Sequence, residues 1–128
     1  MSNCDCGCSS APVLFFSCSG GSNVGQIAND VCRQLTMDGQ GKLFCLAGVG
    51  GKIGSFVEKA KDGSKVIVID GCNLHCARKI LENADIPINT HIVLTDLGVA
   101  KNNNLINEQT VIHENKVKIL QIIMENNK

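Results

Sequence analysis

The sequence predicts an α/β protein: a three-layer sandwich around a mostly parallel, four-stranded sheet, resembling half of a flavodoxin or Rossmann-like fold. Three observations predict it. Val13-Leu14-Phe15-Phe16 and Val66-Ile67-Val68-Ile69 are continuous apolar runs with no polar alternation, as expected of strands covered on both faces. Each run is followed by a glycine-bearing turn and then by a stretch with helical periodicity. This strand–helix order repeats with short connections, which favours parallel strands joined by crossover helices.

Met1 to Ala11 are small, polar residues rich in cysteine and read as a flexible tail, leaving a single domain over residues 12–128. Cys4, Cys6 and Cys8 in that tail are spaced to wrap one soft cation or to lend a ligand elsewhere. The first strand, Pro12 to Ser17, leads through Cys18-Ser19-Gly20-Gly21 into a helix. Val24, Ile27, Ala28, Val31, Cys32 and Leu35 share one face of it. Ser22 or Asn23 suits the N-cap, with Gln26 in loose capping-box register, and Asp38-Gly39 ends the helix. Cys32 lies on the apolar stripe and is assigned to the core.

Residues 42–46 read as the second strand, carrying Cys45, with Ala47 to Gly51 as a glycine turn. A helix with Ile53, Phe56, Val57 and Ala60 at i, i+3, i+4 and i+7 follows. After the third strand, Asp70-Gly71-Cys72-Asn73-Leu74-His75-Cys76 opens the next helix. The Cys-x-x-x-Cys spacing puts both sulfurs on one helical face, and Leu74, Ala77, Leu81 and Ala84 turn toward the sheet. Asp70 is read as the cap of this helix rather than as support for a ligand. A fourth strand runs from Ile86 to Asp96, then a polar loop over residues 97–107. A last helix over residues 114–125 has a wide apolar stripe, read as core, with a homodimer contact through part of it as the alternative.

Lysine plus arginine equals aspartate plus glutamate, 12 of each, so the net charge is zero. No global electrostatic argument for nucleic acid or an anionic membrane follows. No apolar run approaches the roughly 18 residues that span a bilayer. Residues 11–16 are too short for a signal core, so the expected location is cytoplasmic. In a reducing compartment eight cysteines point to metal or redox chemistry before disulfides.

Three strand ends deliver cysteines to one sheet edge: Cys18, Cys45, and Cys72 with Cys76. With strand order 2-1-3 these ends are neighbours, at the carboxyl edge where open α/β sheets bind ligands. Four thiolates there suit zinc, and the amino ends of the adjacent helices soften the accumulated negative charge. An iron–sulfur cluster takes the same ligands. A rival set replaces Cys45 with His75. A different reading makes Cys72 or Cys18 a low-pKa nucleophile or sulfur carrier, resolved by Cys76 or Cys45. His91 and His113 have no supporting context. The turn after the first strand lacks the P-loop ending and the dinucleotide fingerprint, so nucleotide binding is not expected.

The segments Cys18-Ser19-Gly20, Ser22-Asn23-Val24-Gly25-Gln26, Cys45-Leu46-Ala47-Gly48, Asp70-Gly71-Cys72, Cys76-Ala77-Arg78-Lys79 and Val93-Leu94-Thr95-Asp96-Leu97-Gly98-Val99 resemble those of the DGC-domain family. The resemblance runs from about Val13 to Lys101 and departs inside the central motif at Asn73 and His75. That family is named for its Asp-Gly-Cys and associated with zinc through four cysteines. The resemblance implies zinc ligation by Cys18, Cys45, Cys72 and Cys76, and it implies no particular reaction.

Overall fold

The computed structural model describes residues 12–62 and 65–126. Four parallel strands lie in the order β2-β1-β3-β4: β1 is Val13–Ser17, β2 Lys42–Leu43, β3 Lys65–Asp70 and β4 Thr90–Val93. The expected sandwich and the expected 2-1-3 start are therefore both present. β1 and β3 pair along their whole length, from Val13 opposite Lys65 to Ser17 opposite Ile69.

Strand residues alternate between two cores. Phe15, Ile67, Ile69 and Ile92 point to one face, which is covered by α1 (Asn23–Met37) and α5 (Gln109–Asn126). Leu14, Phe16, Val66 and Val68 point to the other, beneath α2 (Leu46–Gly50), α3 (Gly54–Lys61) and α4 (Cys76–Asn83). Burial on both faces explains why β1 and β3 read as unbroken apolar runs.

α1 forms as its stripe predicts, with Val24, Ile27, Ala28, Val31, Cys32 and Leu35 all fully buried. Ser22 is its N-cap, the hydroxyl accepting from the N–H of Gly25 at 3.1 Å. Gln26 does not complete a capping box. Its side chain folds back to donate to the carbonyls of Ser19 and Gly20.

Several expectations need correction. β2 is two residues long because the chain turns away at Cys45, whose sulfur accepts from the N–H of Gly48 at 3.3 Å and starts α2. The expected glycine turn is thus a short helix. β4 stops at Val93, where the Leu94–Leu97 segment tightens into one 3₁₀ turn. α5 begins five residues earlier than its stripe suggested. Ile112 adds a turn against α1, and Ile112, Asn115, Ile119 and Ile123 make the buried face, while Val117 and Met124 are exposed. Among the described residues, no helix is long and apolar enough to cross a membrane. The tail thiols Cys4, Cys6 and Cys8 lie outside the described residues.

Two glycines bring the turns after β1 and β3 into contact. A Cβ on Gly71 would lie 2.7 Å from the Gly25 nitrogen, and one on Gly25 would lie 2.8 Å from the Gly20 nitrogen. Side chains cannot be accommodated between these backbones. Gly71→Ala should therefore cost about 1–3 kcal/mol in urea unfolding, as overpacking does. Gly21→Ala, with open space around it, should stay within about 0.5 kcal/mol of the parent.

Cys32 gives a second test. Burial pushes its thiol up from 9.0 to about 12, against a smaller opposing hydrogen bond with Ser17. Below about pH 9 the thiol is protonated in both states and its contribution to stability is complete. Above that, the unfolded chain ionises while the folded one cannot until about pH 12. Stability should fall by about 1.4 kcal/mol per pH unit across that window. Denaturation midpoints measured from pH 8 upward should show this slope, and Cys32→Ala should flatten it.

Candidate metal and thiol centre

The carboxyl ends of β1 and β3 are adjacent, and the first link between them is main chain. The N–H of Cys18 donates to the carbonyl of Ile69 at 3.0 Å, continuing the β1–β3 ladder one residue past the strand. The sulfur of Cys18 then sits on the backbone N–H groups of Gly20 and Gly71. Gly71 immediately precedes Cys72, so the turn after β3 is docked on the first thiol. Burial raises the Cys18 thiol above its ordinary value, the two N–H bonds oppose that rise, and charge on Cys76 and Asp70 adds to it.

The other cysteines surround this pair with partners of their own. Cys72 is half-buried, and its sulfur accepts from the ammonium of Lys101 at 3.5 Å. Cys76, the first residue of α4, is exposed. Cys45 is exposed too, with its sulfur at the start of α2. Cys32 is buried in the α1 core and apart from the edge, as the sequence indicates. All four candidate ligands therefore belong to the carboxyl edge. Yet among the described residues no three Cys, His, Asp or Glu groups stand close enough to hold one ion in common. The closed shell of a four-thiolate site is not assembled among these residues.

The Asp70–Cys76 stretch differs from its sequence reading. α4 begins at Cys76, not at Gly71, and His75 precedes it with φ 56°, in the left-handed region. Cys72 lies in the turn before the helix, so the two thiols do not share a helical face. Leu74, expected to face the sheet, is 56% exposed on this turn. Asp70 does cap α4, but across the turn. Its Oδ1 accepts from the N–H of Ala77 at 2.8 Å and its Oδ2 from that of Arg78 at 3.2 Å. A carboxylate at a helix amino end also complements the helix dipole.

Sequence reasoning missed two residues here. His91 Nε2 lies 2.8 Å from Asp70 Oδ2, giving the buried carboxylate a third partner. His91 is opposite Val68 in the β3–β4 register, which puts it on the same sheet face as Asp70, one diagonal away. That signal exists only once the strand order is known. The second is Asn23. Its side chain donates to the carbonyl of Ala100 at 2.8 Å and accepts from the N–H of Asn102 at 2.7 Å. Its main chain donates to the carbonyl of Asn102 and accepts from the side chain of Asn107. Asn23 thereby clamps the segment after the 3₁₀ turn over the start of α1, and with it places Lys101 on Cys72.

With this geometry in hand, comparison with known proteins decides the family. The DGC domain model matches residues 14–119. The chain belongs to the DGC-domain family. It is also similar to the anaerobic and virulence modulator AnvM of Pseudomonas aeruginosa, 36% identical over 88 residues, which cover 69% of this chain and 67% of that protein. No solved structure matches the chain. The Asp-Gly-Cys of the family's name is the segment in which Asp70 caps α4, Gly71 packs on α1 and Cys72 faces Lys101.

Removing the Asp70 carboxylate orphans two N–H groups of α4 and the His91 ring. Asp70→Ala should lower stability by about 2–3 kcal/mol, the range for buried bonds to a charged acceptor. Asp70→Asn, which keeps one acceptor oxygen, should lose less. Chemical denaturation of the two variants beside the parent checks this ordering.

Proposed function

We propose that this DGC-domain protein binds a thiophilic metal ion, zinc foremost, through Cys18, Cys45, Cys72 and Cys76 and uses it to sense its chemical surroundings. The observation that carries the reading is the docking of the turn after β3 on the turn after β1, through the Cys18 N–H bond to the Ile69 carbonyl and the close approach of Gly71 to Gly25. It joins the ends of two strands, one leading to Cys18 and the other to Cys72 and Cys76. Two backbone N–H groups oppose the rise that burial imposes on the Cys18 thiol, and the thiolate is the form that binds metal. Four thiolates around zinc leave no open coordination position, which argues for sensing, storage, transfer or stapling and against hydrolysis.

As arranged, the described residues bring no three ligands to one point. Completing the shell requires the segments that carry Cys45, Cys72 and Cys76 to close further on Cys18. Sensing is favoured among the possible roles because exposed thiols are the ones that oxidants reach, and Cys45 and Cys76 are both exposed. The relative's name, an anaerobic and virulence modulator, supports the same choice.

The thiol-enzyme reading is weaker. A nucleophilic cysteine needs a depressed pKa, and the Cys18 thiol is raised by burial. An iron–sulfur cluster would use the same ligand type and is separated from zinc by its visible absorbance.

Protein purified without chelator should carry about one equivalent of zinc, the stoichiometry of a single four-thiolate site. Cys18→Ser, Cys72→Ser and Cys76→Ser should each deplete it, while Cys32→Ala should not. Elemental analysis showing no metal, together with no zinc-dependent gain in thermal stability, would overturn the proposal.

A further inference from the structure

We infer that His75 and His91 form a second metal-binding position, separate from the four cysteines, for a divalent cation that accepts imidazole nitrogen, such as nickel or zinc. The position goes beyond the thiol reading and does not depend on it.

Three observations meet there. The first is the Asp70–His91 contact. Asp70 is 99% buried and holds His91 Nε2 at 2.8 Å, while the His91 side chain stays partly exposed. The carboxylate accepts the Nε2 hydrogen, so the lone pair of the neutral ring lies at Nδ1. A carboxylate holding one imidazole nitrogen while the other faces a metal is a recurrent way of orienting a histidine ligand and raising its basicity. Asp70 is itself pinned by the N–H groups of Ala77 and Arg78, so the imidazole is held on a rigid support.

The second observation is a ring spacing. The centroids of His75 and His91 are 5.0 Å apart, with their planes at 85°. A zinc–nitrogen bond of about 2.0–2.1 Å puts a ligating ring's centroid about 3.2 Å from the metal. Two rings on one tetrahedral ion are then about 5.2 Å apart. The observed centroid separation matches that spacing. Among the described residues, neither the His91 Nδ1 nor a His75 ring nitrogen has a hydrogen-bond partner.

The third is backbone conformation. His75 has φ 56° and no side-chain capping bond, although it occupies the N-cap of α4. A non-glycine residue in the left-handed region is strained. Here that conformation goes with a ring laid against His91 rather than with a cap. No third Cys, His, Asp or Glu joins the two rings among the described residues. The protein therefore supplies two ligands, and water completes the shell. Imidazole nitrogen suits nickel, copper and zinc, and open water positions make the ion exchangeable.

The test uses full-length protein carrying ¹⁵N-labelled histidine, with its cysteines reduced. Addition of Ni²⁺ should broaden the ring resonances of His75 and His91 together, and the exposed His113 on α5 should stay sharp. His75→Ala and His91→Phe should each weaken Ni²⁺ binding by about tenfold or more, the scale on which disturbed metal sites lose affinity. His113→Ala should leave it unchanged. Broadening at His113 alone, or equal broadening at all three rings, overturns the inference and needs no variant to fold. So does a change of less than about twofold for both variants. The same titration on Cys72→Ser keeps the two readings apart. Loss of nickel broadening with that thiol refutes the histidine position and leaves the zinc proposal standing. Protein purified without chelator that carries no metal and gains no thermal stability from zinc, yet shows paired His75 and His91 broadening, refutes the zinc proposal alone.

Discussion

The edge of this protein depends on one close approach of backbone to backbone. Gly71, at the end of β3, lies against Val24 and Gly25 in the first turn of α1, and Gly25 lies in turn against Gly20. No side chain intervenes, so two strand–helix turns that are distant in sequence behave as one piece. The amide of Gly71 can then reach the Cys18 sulfur, and the carbonyl of Gly71 receives the N–H of Thr95 from the segment after β4. The turns after β1, β3 and β4 meet at this residue. A glycine in the centre of the family's defining tripeptide is thus a packing requirement, and the flanking Asp70 and Cys72 are placed by it.

Asp70 is the electrostatic counterpart of that contact. Its charge is taken out of water at 1% exposure and met by two helix N–H groups and one imidazole. Buried carboxylates survive only with such compensation. The cost is met locally by the start of α4, which has no side-chain cap of its own. The helix amino end and the strand end therefore stabilise each other, and the position of Cys76 follows from both.

Much of this was legible from the residues. Unbroken apolar runs revealed β1 and β3, and a one-sided stripe with a serine before it revealed α1 and its cap. The same stripe separated the buried Cys32 from the cysteines of the edge. The parts that were not legible share a cause: partners far apart in sequence. Leu46-Ala47-Gly48-Val49-Gly50 has two glycines and reads as a turn, yet the Cys45 sulfur bonds the Gly48 amide and starts a helix there. Asp70 was assigned correctly as a cap, but its helix begins six residues later, across a left-handed His75. His91 had no local signature, because its role comes from lying diagonally across a strand pair from Asp70. Lys101 and Asn23 likewise meet the site through contacts that no spacing rule encodes.

The Asn23 clamp has a mechanical side. Three backbone positions and one side chain of the segment around residues 100–107 converge on a single residue, which is itself 94% buried. Fastening at one point behaves as a pin and not as a zip. Two of the four bonds use the Asn23 side chain and two its main chain, so the whole fastening depends on the placement of one residue. Lys101 travels with it. The ammonium beside Cys72 is therefore held in place by the same residue that fastens the strap.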